Sequence, residues 1–279
     1  MYNREALSKP DDILLKTLFQ GKKLVIVDEA QKVQNIGSIL KVIHDHIPEV
    51  QVIATGSSSF ELSKYANENL TGRAIEFYLY PLSVAEITQK YNILQLPSKI
   101  QEVLQYGLYP GVFDHSQGEN IETLKSIVNN YLYKDILEFS GIRKSEVIIN
   151  LLQLLALQVG GEVSYTKLAN QLHLNTVTVQ NYVDLLEKSF VIYKLKGFSR
   201  NLRNEITKTV KIYFWDIGIL NSLINNFNAL SLRSDKGGLW ENFCITERLK
   251  HNANKRLTIN SYFRRTHDQQ EIDYIEEKN

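Results

Sequence analysis

Few folds accommodate the run Leu24-Val25-Ile26-Val27, which is apolar without a break and closes on Asp28-Glu29. An uninterrupted apolar run rich in β-branched residues marks a strand covered on both faces, as in parallel sheets. Downstream, Ile36, Ile39, Leu40, Ile43 and Ile47 recur at the spacing of one helix face. Val50, Val52, Ile53 and Ala54 then form a second apolar run that stops at Thr55-Gly56. Strand, helix and strand with such short connections predict a parallel α/β unit.

In an open α/β sheet the ligand end is the carboxyl end of the strands, where Asp28 and Glu29 fall. Four apolar residues followed by two carboxylates is the Walker B arrangement. There the aspartate holds Mg²⁺ through water and the glutamate polarises the attacking water. A strand that merely ends in polar residues is the alternative for this pair taken alone. The second strand carries hydroxyls at the corresponding end: Thr55, Ser57, Ser58 and Ser59. Leu70-Thr71-Gly72-Arg73 then precedes an aromatic run, Phe77 to Tyr80, that reads as a further strand.

Composition sets the remaining bounds. At 279 residues, 43% apolar and 23% charged, the chain is long enough for two globular cores. A formal charge of +1 confines any nucleic-acid preference to a local patch. Cys244 is the single cysteine, which excludes an internal disulfide framework and a cysteine-rich zinc site and suits a reducing cytoplasm. His44 and His46 have no acidic or cysteine partner at metal-ligand spacing. No apolar run approaches the roughly 18 residues of a membrane span. Residues 1–23 are mixed polar and charged, unlike a secretory leader, so a cytoplasmic location is expected.

A second organised stretch begins near residue 148. Tyr165, Leu168, Ala169 and Leu172 share one helix face, and Val179, Tyr182, Val183 and Leu186 share another. Between them His173-Leu174-Asn175 makes a tight turn, with Asn175 or Thr176 as a suitable N-cap, giving a helix-turn-helix pattern. Two strands follow, Phe190 to Leu195 and Val210 to Phe214, with a polar loop between them that reads as a wing. Lys188, Lys194, Lys196, Arg200, Arg203, Lys208 and Lys211 face only Glu205 in charge over this segment. Such an excess suits phosphate contacts, with Thr176, Thr178 and Asn181 placed to meet bases or backbone. An acidic protein partner or plain solvent would suit the same surface.

Taken in order, these segments resemble the AAA-superfamily ATPases that end in the domain of unknown function 4143. Val27 to Val33, Thr55 to Ser58, Leu70 to Arg73 and Tyr80 to Ser83 carry the resemblance in the first part. Ser199 to Arg203, Lys208, Lys211 to Phe214, Asp216, Gly218 and Gly238 to Phe243 carry it in the second. The resemblance implies ATP and Mg²⁺ as cofactors, Asp28 and Glu29 as catalytic residues, and Thr55 and Ser57 as sensors of the γ-phosphate. Arg73 reports on nucleotide charge or is a surface arginine. The family's phosphate loop, Gly-x-x-x-x-Gly-Lys-Ser/Thr, does not occur among these residues. Without it there is no amide cradle and no lysine for the β- and γ-phosphates, so the chain by itself is expected neither to bind nor to hydrolyse ATP. A segment upstream or a partner chain that supplied the loop is the alternative, and a DNA-binding regulator is another.

The carboxyl-terminal part is similar to PD-(D/E)xK nucleases, which implies a metal at a helix glutamate and a strand aspartate. Glu241 and Asp273 match those positions, and plain exposed carboxylates are the alternative. The expected fold class is α/β, in four parts. A partial parallel-sheet P-loop ATPase core spans 1–90 and an all-helical lid 91–145. A winged helix-turn-helix spans 146–215 and an incomplete nuclease-like α/β domain 216–279. The partners implied are DNA or another protein, with no membrane.

Overall fold

The computed structural model describes residues 11–56, 70–113, 115–130, 145–198, 210–266 and 270–278. The chain divides into two compact units, Met1–Phe77 with Lys188–Phe190 and Tyr78–Glu187 with Val191–Asn279. The expected mixture of helices and strands is present. Ser57, Ser58, Ser59, Arg200, Arg203 and Lys208 lie outside the described residues.

The first unit opens with α1 (Asp12–Phe19), capped by the Asp11 carboxylate, which accepts the Ile13 and Leu14 amides. Strand β1 (Leu24–Val27), helix α2 (Ile36–His46) and strand β2 (Gln51–Ala54) follow. β1 and β2 pair in parallel, Leu24 opposite Gln51 through Val27 opposite Ala54, so the predicted strand-helix-strand unit is realised. Val25, Val27, Val52 and Ala54 turn toward a core built from Leu15, Phe19, Ile36, Ile39 and Ile43. The other face is open: Leu24, Ile26 and Ile53 are 48%, 62% and 43% exposed. The sequence expectation of two covered faces is met on one. Phe77 to Tyr80, expected to form a strand, lies in no strand among the described residues.

In the second unit a short helix α3 (Val84–Ile87) starts with a capping box between Ser83 and Glu86. It is followed by α4 (Leu96–Tyr106), α5 (Gln117–Ile127), α6 (Ser145–Leu157), β3 (Glu162–Val163), α7 (Tyr165–Leu172) and α8 (Thr176–Lys188). Then come β4 (Ile192–Gly197), β5 (Val210–Phe214), α9 (Ile217–Leu223), α10 (Lys236–Asn254), β6 (Ile259–Arg265) and β7 (Glu271–Lys278). The five strands form one sheet in the order β3-β5-β4-β6-β7. β4 pairs in parallel with β6, so residues 146–215 and 216–279 share a sheet across the boundary expected between them. Val103, Leu124, Leu151, Leu155, Val179, Leu186, Ile212 and Leu220 belong to one continuous core, which joins the helices of 91–145 to those that follow.

A buried carboxylate organises the middle of this unit. Asp216 is 4% exposed and accepts the Leu108 amide at 2.6 Å and the Ile219 amide at 3.1 Å, capping α9. Burial raises its pKa, against the pull of those amides. The backbone approaches so closely that a Cβ on Gly107 would sit 2.1 Å from Asp216 Oδ1, and one on Gly218 would sit 2.1 Å from the Tyr106 carbonyl oxygen. Asn242, inside α10, ties that helix to β5. It accepts from the Phe214 amide at 2.7 Å and donates to the Phe214 carbonyl at 2.8 Å, which fixes the neighbouring Glu241 over β5.

Candidate functional site

The carboxyl ends of β1 and β2 form the first candidate. Beyond the paired strands the Thr55 amide donates to the Val27 carbonyl at 2.9 Å, and the Ala30 amide donates to the Thr55 carbonyl at 2.8 Å. Those two bonds carry Thr55 alongside Asp28, and its hydroxyl donates to Asp28 Oδ1 at 2.5 Å. Both residues are exposed. Glu29 adopts a left-handed backbone, φ 52°, which costs a non-glycine residue on the order of 1 kcal/mol. Its carboxylate accepts from Gln31 Nε2 at 2.9 Å and pairs with Lys32 Nζ at 2.9 Å.

The arrangement fits a hydrated Mg²⁺ held by Asp28 through water, with Glu29 close enough to orient a further water. It does not fit a triphosphate. Among the described residues, no glycine-rich loop at a helix N-terminus lies at the ends of β1 and β2. No group of three or more histidine, cysteine, aspartate or glutamate residues there is arranged to hold a metal directly.

Of the predicted sensors, Thr55 joins this set and Arg73 does not. Arg73 Nε bonds Asp45 Oδ1 at 2.9 Å, near the last turn of α2. Asp45 lies nine residues beyond Ile36, so Arg73 meets this helix about 14 Å along it from the end that follows Asp28 and Glu29. The Arg73 guanidinium, with His44 second, draws the Asp45 pKa down to about 2.

The predicted basic surface is also rearranged. Thr176 and Thr178 are half-buried, Asn181 and Lys196 are exposed, and the Asn175 side chain accepts the Thr178 amide at 2.7 Å as an N-cap. Lys194 is half-buried, bonded to Asp184 at 2.5 Å and to Glu187 at 2.8 Å. Burial opposes its charge, but these two carboxylates hold its pKa above the usual lysine value. Lys211 is withdrawn altogether: its side chain is 2% exposed. A phosphate backbone cannot reach an ammonium enclosed this way.

Lys211 forms the centre of a second cluster. Its Nζ lies 2.9 Å from Glu241 Oε1, 2.6 Å from Glu271 Oε1 and 3.1 Å from Asp273 Oδ1. Tyr213, two residues along β5 and therefore on the same face, donates to Glu241 Oε1 at 2.6 Å. Burial first, then the bond to Glu241, keeps the tyrosine hydroxyl protonated far above its ordinary range. Glu271 and Tyr213 escaped the sequence reading. The available signal was a lysine inside the apolar run Val210 to Phe214, since a lysine in a buried strand requires carboxylates nearby.

Comparison with known proteins finds three matching domain families along the chain. Residues 2–88 match an AAA domain, 97–230 the domain of unknown function 8612 and 236–279 the domain of unknown function 4143. An uncharacterized protein of Haemophilus influenzae is 26% identical over 219 residues, covering 75% of this chain and 54% of the relative. One of Methanocaldococcus jannaschii is 26% identical over 261 residues, covering 87% and 56%. Another, of Mycobacterium tuberculosis, is 25% identical over 257 residues, covering 91% and 56%. The chain thus spans about half the length of the curated relatives it matches. No solved structure matches it. The chain thus matches an AAA domain at one end and the domain of unknown function 4143 at the other.

Proposed function

We propose that the first unit supplies the magnesium- and water-ordering half of an AAA-type ATPase site. Hydrolysis then depends on a phosphate loop from polypeptide outside these 279 residues. The observation that carries this reading is the Thr55–Asp28 hydrogen bond at the carboxyl end of two parallel strands. Asp28 is the residue to hold hydrated Mg²⁺, Glu29 to orient water and Thr55 to fix the Asp28 carboxylate. Phosphoryl transfer is mostly charge neutralisation, and these residues provide it on one side only. The relatives are about twice as long as the region this chain matches in them, which leaves room there for such a loop.

The test compares ATP turnover by this chain and by a longer polypeptide in which a Gly-x-x-x-x-Gly-Lys-Ser/Thr segment precedes it. Turnover is expected only in the longer form, with a loss of about 100-fold or more on Asp28→Asn. Turnover by the short chain that disappears with Asp28→Asn would overturn the reading.

For residues 146–215 the order helix, strand, two helices, two strands, with β5 between β3 and β4, supports a winged helix. We read its exposed face as a protein-contact surface. Lys194 and Lys211 are held by carboxylates, and the exposed positions of α8 are Val177, Gln180 and Asn181, with a cation, Lys188, at its last residue. Fluorescence anisotropy with duplex DNA is expected to show no steep salt dependence. A steep slope reduced by Arg203→Ala or Lys208→Ala would instead establish DNA binding.

A further inference from the structure

The nuclease-like resemblance implies a divalent ion between Glu241 and Asp273, and the geometry disagrees with it. Lys211 carries three N–H donors, and each meets a different carboxylate: Glu241 on α10, Glu271 and Asp273 on β7, at 2.6 to 3.1 Å. Those are hydrogen-bond distances. A magnesium ion requires oxygens at about 2.0–2.1 Å in octahedral geometry, so ion and ammonium cannot share the point these oxygens surround.

Nor can the ammonium swing aside. Lys211 sits on β5, flanked on both sides, opposite Glu162 of β3 and Leu195 of β4. Its Nζ stands 5.6 Å from the Phe263 ring centroid on β6. Glu241 Oε1 is shared with the Tyr213 hydroxyl. A Cβ on Gly160 would approach Glu241 Oε2 at 3.1 Å, so the glutamate is confined from behind as well.

We infer that Lys211 is the resident cation of this carboxylate cluster. It stands where the nuclease-like arrangement would hold a metal, and it ties α10 and β7 to β5 in the metal's stead. The three carboxylates are oriented for a positive charge. Removing the ammonium leaves them repelling one another, a state that a divalent cation relieves. Lys211 thus makes this part of the fold independent of metal, and its loss exposes a latent cation site.

The experiment uses the full chain in an Asp28→Asn background, so that the first unit contributes no metal binding. Mn²⁺ binding is followed by electron paramagnetic resonance. Melting temperature is followed with Mn²⁺ and with NaCl at equal ionic strength. With Lys211 present, Mn²⁺ is expected to stay free and to leave the melting temperature unchanged. Lys211→Met is expected to melt several degrees lower and to recover with Mn²⁺ but not NaCl, the recovery vanishing when Asp273→Asn is added. Tight Mn²⁺ binding by the Lys211 chain that Asp273→Asn abolishes would overturn the inference. So would a folded Lys211→Met chain indifferent to Mn²⁺. If Lys211→Met does not fold, the Mn²⁺ titration of the Lys211 chain decides the matter. Lys211→Arg, which keeps the charge, is then expected to fold and to ignore Mn²⁺; a Lys211→Arg chain that fails to fold or binds Mn²⁺ counts against the inference.

Discussion

Thr55 and Asp28 are 27 positions apart, and their hydrogen bond exists because parallel pairing brings two strand ends together. Both were legible as candidates, since a hydroxyl and a carboxylate closing consecutive apolar runs need no tertiary information. The left-handed backbone of Glu29 was not, because a glutamate carries no signal for positive φ. Thr55→Val removes one exposed hydrogen bond and is expected to cost only about 1 kcal/mol in urea unfolding, so loss of turnover in a completed site would report on Asp28 and not on folding. Gly218→Ala is the opposite case. Its Cβ would meet the Tyr106 carbonyl oxygen at 2.1 Å, and backbone cannot step aside. We expect a loss of about 3 kcal/mol or more by the same measurement, with the Asp28–Thr55 end of the sheet untouched.

The helices were read well at the scale of elements, because α2, α7 and α8 announce themselves by apolar spacing alone. The pairing of β4 with β6 was not readable. It joins strands some 70 residues apart, and nothing in either strand names its partner. Phe77 to Tyr80 failed for a related reason: aromatic content favours strands only where a neighbouring strand is on offer. The tie between α10 and β7 offers a test of sign. Arg248 grips Glu276 with two bonds, at 2.8 and 2.6 Å, and Asn252 adds a third at 2.6 Å. Arg248 chiefly, opposed by desolvation and helped by the lesser pulls of Asn252 and Tyr274, holds the Glu276 pKa down to about 2, from the ordinary 4.5. A depressed carboxylate stabilises the fold fully above its unfolded pKa, and that contribution fades as pH falls toward the folded value. Urea midpoints are therefore expected to fall between pH 4.5 and about 2, and Glu276→Gln is expected to flatten that part of the profile.

For the molecule as a whole, the two units differ in how much they bury. The first packs one face of a two-stranded sheet and leaves Leu24, Ile26 and Ile53 exposed, whereas the second encloses a long continuous core. Two units of unequal core are not expected to unfold as one. The probes are well placed, because both tryptophans, Trp215 and Trp240, lie in the second unit. Urea unfolding followed by tryptophan fluorescence is expected to lag behind unfolding followed by far-ultraviolet circular dichroism, which sees both units; coincident curves would mean that the units are coupled. A parallel sheet normally has both faces covered, and among the described residues this one has cover on one. The most direct test is calorimetric titration of MgATP into the chain alone and into the longer polypeptide that includes a phosphate loop. Micromolar binding confined to the longer form, weakened by Asp28→Asn, is the predicted result. Equal micromolar binding by both forms would contradict the account.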